Sequence, residues 1–262
     1  SLAYVIMIIL IWIPMARRKS LAFLDVGQGD CFVADTKSGA IIFDGGSSSE
    51  DQVGRYRILP YMKYLGYQKI QIAVISHMDI DHYSGIRELL EMGKIKYLGL
   101  PEIPKDETMK KIIGIAKKRG TTIFYLSRGR QITTKDGSLK VLHPQKNSQM
   151  EKNAASLVMQ GKILGYRVLL TGDVEKEGEE ELLSEELERA DILKAAHHGS
   201  KNSTSNEFLQ KVQPKQTVIS CGKQNRYGHP HLETIHRLQT YRTKIYRTDR
   251  SGAIIFFKRR DG

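Results

Sequence analysis

The chain has 262 residues, of which 40% are hydrophobic and 27% are charged, a composition typical of a globular protein long enough to bury a core. Its formal net charge of +12 and pI of about 9.5 favour a polyanionic partner such as nucleic acid or an anionic membrane surface. Cys31 and Cys221 lie far apart and lack metal-site or redox-motif spacing, which excludes zinc fingers and thioredoxin-like sites. They are either two buried thiols or one disulfide of an extracytoplasmic domain.

The chain begins with an apolar segment from Leu2 to Met15, which is followed at once by the basic residues 17–19. A segment that spans a bilayer needs about 20 apolar residues, so this one is short. Three interpretations are open: the end of a transmembrane helix, a short anchor, or the hydrophobic part of a signal peptide. We expect residues 1–18 to be the end of a membrane helix with its basic flank, and residues 19–262 to form one folded domain.

Short apolar strands alternate with amphipathic helices along the rest of the chain. In the first half we predict strands at 21–26, 31–35, 40–43, 72–75, 96–98 and 121–126, and helices at 55–65, 85–91 and 105–118. In the second half we predict strands at 131–133, 139–142, 156–160, 166–170, 191–196, 217–220, 244–247 and 253–257, and helices at 175–188, 205–212 and 233–240. This order predicts two sheets that pack together and are covered by helices.

Four potential metal ligands follow the apolar strand 72–75 within six residues: His77, Asp79, Asp81 and His82. In an extended segment, side chains two residues apart lie on one face, so the first three can converge on one point. His82 can serve a second centre if the chain bends after it. The alternative is a solvated turn before a helix, with Asp81 as its N-cap.

Polar ligand types also follow three later strands or loops. These are Asp173, the pair His197 and His198, and the pair His229 and His231. Six of the eight histidines of the chain lie in these segments and the 77–82 cluster. Because loops at one edge of a sheet can converge, the joint pattern predicts a metal site there.

These motifs resemble those of the metallo-β-lactamase superfamily, whose His-x-[His/Asp]-x-Asp-His signature corresponds to residues 77–82. More narrowly, the sequence resembles the C-terminal hydrolase domain of ComEC-type DNA-uptake proteins. The matching segments are 24–30 (LDVGQGD), 76–85, 170–173 (LTGD), 197–200 (HHGS) and 227–231 (YGHPH). The resemblance covers residues 20–257 and implies an α/β fold, an αββα sandwich of two mixed β-sheets covered by helices.

The resemblance implies two divalent metal ions. His77 and Asp79 would hold the first ion; Asp81 and His82 would hold the second, together with His197 or His198; and Asp173 would bridge them. Most of the superfamily has His where this chain has Asp79, and a further His near residues 151–156, where Asn153 is the candidate replacement. The additional carboxylate suits harder ions, so Mn²⁺ is slightly favoured over Zn²⁺.

Further roles follow from this site. Asp81 would also orient or deprotonate the attacking water, and His229 or His231 would protonate the leaving oxygen or bind phosphate, unless they only stabilise their loop. Asp30 is expected to shape its glycine-rich turn. Asp44 either orients a metal-bound histidine or caps a turn.

DNA contacts are assigned to four polar residues. Lys201, Asn202 and Ser203 offer phosphate donors, and Tyr227 could stack on bases. A solvated loop is the alternative for the first three.

Taken together, the sequence predicts a metal-dependent nuclease that hydrolyses single- or double-stranded DNA during uptake and natural transformation. It would act at the cell membrane, with the hydrolase domain on the extracytoplasmic side and no nucleotide cofactor. The membrane contact would come from the N-terminal segment or from a transmembrane part of a longer protein. Two alternatives stay open: a hydrolase of a smaller phosphodiester, of the phosphocholine or cyclic-nucleotide type, and a metal-free DNA-binding domain that forms a vestibule.

Overall fold

The computed structural model describes residues 18–150, 153–185 and 187–259. The apolar segment of the predicted membrane helix, and Arg17 of its flank, lie outside these ranges. Within them, no helix combines the length and the apolar character needed to cross a bilayer.

The first sheet has seven strands in the order β14-β1-β2-β3-β4-β5-β6. Its strands are β1 (Ser20–Phe23), β2 (Phe32–Thr36), β3 (Gly39–Phe43), β4 (Ile70–Val74), β5 (Ile95–Pro101), β6 (Thr122–Leu126) and β14 (Ile254–Phe257). The pairs from β14 to β3 are antiparallel, whereas those from β3 to β6 are parallel.

The second sheet also has seven strands, in the order β13-β12-β11-β10-β9-β8-β7. Its strands are β7 (Gln131–Thr134), β8 (Gly137–His143), β9 (Val158–Ile163), β10 (Tyr166–Leu170), β11 (Ile192–Lys194), β12 (Gln216–Ile219) and β13 (Lys244–Arg247). It repeats the pairing pattern of the first sheet, because β7 to β10 are antiparallel and β10 to β13 are parallel. Strand β14 follows β13 in the chain but pairs with β1 in the first sheet.

The helices lie between the strands along the chain. The α-helices are α1 (Leu59–Tyr64), α2 (Ile80–Glu91), α3 (Glu107–Lys118), α4 (Lys176–Leu183), α5 (Asn206–Val212), α6 (Leu232–Thr240) and α7 (Thr248–Ser251). A π-helical turn, Gly54–Ile58, precedes α1, and a 3₁₀ turn, Ala196–Gly199, follows β11.

Alternation along the strands divides the core into three layers. Leu21 and Phe23 of β1 point into the cluster shared by the two sheets, whereas Ala22 points into the cluster under the helices α1 to α3. Residues of β10 divide in the same way, because Val168 lies between the sheets and Leu169 lies under the helices α4 to α6. The predicted αββα sandwich is therefore confirmed.

Helix α2 begins five residues before its predicted start at 85. Asp79 is its extended N-cap residue, so Asp81 and His82 lie in its first turn and not in an extended segment. Asp81 is favourable there because the amino end of a helix attracts negative charge. Gly85 lies inside the helix, where an added Cβ would come within 2.7 Å of the carbonyl oxygen of Gly45. That glycine permits close packing of α2 and does not bend the chain.

Other elements differ less from the prediction. Helix α4 ends at Leu183, well before 188, and the segment predicted as one helix at 55–65 begins as the π-helical turn. Cys31 and Cys221 are both buried free thiols, as the first of the two interpretations predicted.

Candidate metal centre

The candidate ligands and their neighbours follow the carboxyl ends of parallel strands in both sheets. Strands β3 and β4 lead to Asp44 and His77, while β10 and β11 lead to Asp173 and the pair 197–198. Neighbouring parallel strands end at the same edge of a sheet, and ligands bind in crevices at such edges. The clusters that are distant in sequence meet there.

Asp173 lies at the centre of the histidines. Its Oδ2 atom is 3.1 Å from Nε2 of His82, 3.4 Å from Nε2 of His198 and 3.8 Å from Nε2 of His197. Asp173 is 3% exposed. Three imidazoles, one from the first turn of α2 and two from the 3₁₀ turn after β11, thus present the same ring nitrogen to one buried carboxylate.

The other ring nitrogen of each of these histidines faces an acceptor. His82 Nδ1 lies 2.9 Å from Asp44 Oδ2, and His198 Nδ1 lies 2.9 Å from the carbonyl oxygen of Ser220. His197 Nδ1 lies 2.9 Å from Glu175 Oε1. Since a carboxylate or carbonyl oxygen can only accept, Nδ1 of His82 and of His198 carries the proton, and Nε2 of each is left as a potential ligand. The approach of His197 Nδ1 to Glu175 lacks hydrogen-bond geometry.

Several of these ligand atoms are buried without a hydrogen-bond partner. Among the residues the structure describes, they include Nε2 of His77, His82 and His198 and Oδ1 of Asp173. Buried polar atoms are normally satisfied, so a cluster of unsatisfied ones needs an explanation. Divalent cations would satisfy all four, and the donor set therefore fits the metal ions that the sequence implies.

In the described part of the chain, four groups of three side chains could each hold a metal ion, and two of these groups consist entirely of predicted ligands. His77, His82 and Asp173 place one atom each within 4.8 Å of one another, and so do Asp81, His82 and His198. Asp81 Oδ2 lies 3.4 Å from His198 Nε2. The second group contains the residues predicted for the second ion, whereas His82 is common to both groups.

Asp79 lies at the margin of this arrangement. Its Oδ2 atom is 3.7 Å from His77 Nε2, and its side chain is 36% exposed. His77 is 1% exposed, and its ring lies 4.1 Å from that of His82. The first metal position thus has one buried imidazole and one carboxylate open to solvent.

The buried carboxylates of the site favour positive charge on the neighbouring histidines. Burial opposes protonation of both His82 and His198, but nearby carboxylates raise their pKa values well above the usual value: Asp173 and Asp44 for His82, and Asp173 and Asp30 for His198. Burial likewise opposes ionisation of Asp173, yet the two histidines hold its pKa well below the usual range. Metal cations would replace these protons, since ligating imidazoles must be neutral.

Asp30 joins the site to a buried lysine. Burial would raise the pKa of Asp30, but Lys194 and His198 lower it to about 2. Asp30 Oδ2 is 2.5 Å from Lys194 Nζ, and Oδ1 is 3.4 Å from His198 Nδ1. Lys194 is 4% exposed. Asp30 thus does more than shape its turn, because it pairs with a cation from the second sheet and contacts a candidate ligand.

An open cavity of about 230 Å³ gives solvent access to the centre. Its lining combines ligands with residues of the surrounding loops: Gln28, Ser48, Asp79, Ile80, Asp81, Asp173, His197, His198, Tyr227 and His229. The candidate ligands among them can therefore be reached from solvent.

Residues 24–223 match the family model of the metallo-beta-lactamase superfamily. The chain belongs to this superfamily. It is 35% identical over 278 residues to ComE operon protein 3 of Bacillus subtilis (strain 168), covering 98% of this chain and 35% of that protein. It is 30% identical to competence protein ComA of Neisseria gonorrhoeae over 248 residues, covering 91% of this chain and 32% of that protein. The chain thus spans about a third of the length of these curated relatives.

The superfamily fold is also found by comparison with solved structures. The metallo-beta-lactamase fold protein YhfI from Bacillus subtilis superimposes with a TM-score of 0.61 at 12% identity, covering 90% of this chain and 99% of that chain. The names of the relatives agree with the resemblance to competence proteins, and the metallo-beta-lactamase fold implies divalent metal ions at this centre.

Three residues predicted to donate to phosphate lie elsewhere. Lys201, Asn202 and Ser203 line a separate cavity of about 670 Å³ beside α4 and α5, which also contains several glutamates. His197, His198 and Gly199 all have positive φ (48°, 52° and 84°), and the chain that follows them leads into this second cavity. These three residues therefore do not line the cavity of the metal centre.

The two histidines of the 229–231 loop occupy different positions. His229 lines the cavity, and burial together with the neighbouring histidines lowers its pKa to about 4. His231 is the N-cap residue of α6, and its Nδ1 accepts a hydrogen bond from the backbone N–H of Lys201 (3.2 Å). His229 thus lies at the cavity, whereas His231 contacts the backbone of residue 201.

The segment of Asn153 reaches the site only indirectly. The carbonyl oxygen of Asn153 accepts a hydrogen bond from Ser156 N–H (3.0 Å), and Ser156 Oγ accepts one from the backbone N–H of Asp173 (3.3 Å). Asn153 does not line the cavity. Asn153, the predicted replacement ligand, is thus connected to Asp173 through Ser156.

Sequence reasoning missed Lys194, Glu175 and the carbonyl of Ser220. A lysine inside the apolar run Ile192-Leu193-Lys194-Ala195-Ala196 is a signal of a buried charge with a partner. Glu175 and Ser220 carry no comparable signal, because an acid at a helix start and a serine at a strand end are ordinary.

Proposed function

We propose that the chain is a two-metal phosphodiesterase that hydrolyses DNA. The observation that carries the proposal is the convergence of buried, unpartnered Nε2 atoms of His77, His82 and His198 on Asp173 beside an open cavity. Such a donor set has little use without cations, and it stands in a chain of net charge +12. A polyanionic phosphodiester is the substrate class that both features favour.

Seven residues would hold the ions: His77, Asp79, Asp81, His82, Asp173, His197 and His198. The three carboxylates among them favour Mn²⁺ slightly over Zn²⁺. When bound, a pair of divalent ions lowers the pKa of water and neutralises charge that develops on the phosphoryl oxygens.

Asp81 would accept the proton of the attacking water or orient that water. It lies in the first turn of α2 and lines the cavity, and His198 holds the pKa of its carboxylate down although burial opposes this. A carboxylate that stays ionised can accept a hydrogen bond from the water and orient it towards phosphorus.

His229 would act as a neutral imidazole. Burial and the neighbouring histidines lower its pKa to about 4, which favours the neutral ring near pH 7. A neutral ring still has one N–H, which can donate a hydrogen bond to a non-bridging or leaving oxygen. Its role would be to position the substrate, and water would then supply the proton to the leaving group.

The biological setting of the proposal is DNA uptake in natural transformation. The relatives at 35% and 30% identity bear the names ComE operon protein 3 and competence protein ComA. We place the enzyme at the cell membrane with this domain on the extracytoplasmic side, where incoming DNA would meet it. The N-terminal segment, or a transmembrane part of a longer protein, would provide attachment.

One observation favours a second candidate, hydrolysis of a small phosphodiester. The cavity of about 230 Å³ could hold a small diester as well as one linkage of a polymer. The net charge favours DNA, because a small diester needs no basic surface. The unpartnered ligand atoms argue against a metal-free binding domain, since they would be costly without a function.

Cleavage assays distinguish these candidates. The chain, stripped with EDTA and reloaded with Mn²⁺ or Zn²⁺, is incubated with plasmid, with single-stranded DNA and with bis(p-nitrophenyl) phosphate. We expect metal-dependent DNA cleavage that Asp81→Asn and Asp173→Asn abolish, whereas Asp51→Asn, at an exposed carboxylate, leaves it unchanged. Hydrolysis of the small diester with intact DNA would support the second candidate, and no turnover of either would overturn both.

A further inference from the structure

The loop after β12 carries an exposed arginine–tyrosine pair to the mouth of the metal cavity. Tyr227 is 41% exposed and lines the cavity together with Asp173 and His198. Arg226 is also exposed, and its side chain donates a hydrogen bond to Tyr227 Oη (2.7 Å). A tyrosine offers a flat apolar ring with a polar hydroxyl, which suits it to binding surfaces.

The pair is held rigidly. The Tyr227 ring stacks on that of His229, with centroids 5.7 Å apart and an angle of 21° between the planes. The guanidinium carbon of Arg226 lies 4.9 Å from the centroid of the Tyr227 ring. Asn225 fixes the loop from within, since its side chain bonds to the backbone N–H and carbonyl of His229 and to the carbonyl of Gly222. A platform that is ordered in advance loses less entropy when it binds a ligand.

An apolar side chain from the other half of the molecule lines the same cavity. Ile80, the first residue of α2, is 54% exposed and stands between the candidate ligands Asp79 and Asp81. Exposure of a large aliphatic side chain between two carboxylates serves neither solubility nor metal binding. Ile80 and Tyr227 instead give the polar cavity two apolar surfaces.

We propose that Ile80, Arg226 and Tyr227 form a nucleobase-binding subsite beside the scissile phosphodiester. This inference rests on the proposed function, because it assigns the group next to the phosphate that the metal centre would cleave. A flat heteroaromatic base can stack on a tyrosine ring or a guanidinium plane and contact an aliphatic side chain with its edge. Arg226 can also pair with the adjacent phosphate.

The subsite selects an unpaired strand. In a duplex both faces of each base are covered by neighbouring bases, so only an unstacked base can occupy the platform. Single-stranded DNA and frayed ends meet this condition without the cost of opening a helix. The substrate class is therefore single-stranded DNA, read through the faces of its bases and without dependence on sequence.

Affinity and cleavage of matched oligonucleotides test the subsite. The ligands are one fluorescent single strand, its duplex, and the same strand with tetrahydrofuran abasic residues. Affinity is measured by anisotropy in the Asp81→Asn background, and cleavage is measured with the Mn²⁺-loaded protein without that substitution. We expect the normal strand to bind about 10-fold more tightly than the abasic strand, and Tyr227→Ala to remove this difference.

Two variants serve as controls. Tyr227→Phe retains the ring and should keep the preference for normal bases. Tyr56→Ala removes a more exposed tyrosine, 63% exposed in the π-helical turn, and should have no effect. Equal affinity of the unsubstituted protein for normal and abasic strands, or a loss in Tyr227→Ala no larger than in Tyr56→Ala, would overturn the subsite. Intact DNA in every cleavage assay would overturn the nuclease instead, and the affinity comparison would still decide the subsite.

Discussion

Replacement of Lys194 by methionine tests how the charge of the metal centre is balanced. Lys194 Nζ is 2.5 Å from Asp30 Oδ2, and both residues are 4% exposed. Methionine has a similar length and fills the same space, but it leaves the Asp30 carboxylate buried without its cation. His198, 3.4 Å from Asp30 Oδ1, would be its nearest remaining partner.

The expected cost is large because the pair is fully removed from water. Breaking a buried ion pair by removing one partner typically lowers stability by about 3–5 kcal/mol. The same substitution at Lys215 is the matched control. Lys215 is paired with Asp191 at 3.0 Å, but its side chain is 63% exposed. An exposed pair contributes about 0–1 kcal/mol.

Urea unfolding of the EDTA-treated protein measures the difference. We expect the free energy of unfolding to fall by about 3–5 kcal/mol in Lys194→Met and by less than about 1 kcal/mol in Lys215→Met. Adding Asp30→Asn to Lys194→Met should recover part of the loss, since the isolated charge is then removed. Mn²⁺ should also stabilise Lys194→Met, because a bound cation offsets the unpaired carboxylate.

Equal losses in Lys194→Met and Lys215→Met would refute this reasoning. So would a double variant that is less stable than Lys194→Met by the full cost of Asp30→Asn alone, because the two side chains would then be energetically independent.

Three further predictions address the ligand geometry and the thiols. Asp44→Asn, which weakens the acceptor of His82 Nδ1, should lower Mn²⁺ affinity about 10–100-fold in calorimetric titrations, and unchanged affinity would show that Asp44 does not orient His82. Gly46→Ala places a Cβ 2.5 Å from the carbonyl oxygen of Ile80 and should reduce metal binding, because it shifts the start of α2. As a control, the added Cβ of Gly114→Ala meets nothing within 4 Å, and this variant should stabilise α3 by about 0.5–1 kcal/mol. Equal metal affinity of the two variants would contradict this prediction. Burial raises the pKa of Cys221 to about 12 and that of Cys31 well above its usual value. Neither thiol should therefore react with Ellman's reagent at pH 8 in the folded protein, and both should react after denaturation without reductant. Absence of reactive thiols in the denatured protein would indicate a disulfide.

The parts of the site that were predictable are those with a local signal. An apolar strand that ends in alternating histidines and aspartates specifies both the sheet edge and the ligand types, so residues 77–82 could be recognised directly. The helix start at Ile80 could not, because an exposed isoleucine between two aspartates resembles a turn. Its conformation depends on packing of Gly85 against Gly45, a contact between residues distant in sequence.

Contacts between the two halves explain the remaining differences. Lys194 and Asp30 come from different sheets, and nothing near either residue specifies the other. The direction of residues 201–203 depends on three consecutive left-handed residues, two of them histidines, which rarely adopt that conformation. Sequence proximity to the 197–198 pair therefore did not reveal that these residues line a different cavity from the metal centre.

The most direct test of the account follows bound metal and DNA cleavage in one titration. Protein stripped of metal is titrated with Mn²⁺, and the ions bound per chain are compared with the rate of cleavage of a labelled oligonucleotide. We predict that cleavage rises as two ions bind, and that Asp173→Asn loses both binding and cleavage. Undiminished cleavage by the stripped protein, or by Asp173→Asn, would contradict the proposal that this centre is a two-metal nuclease.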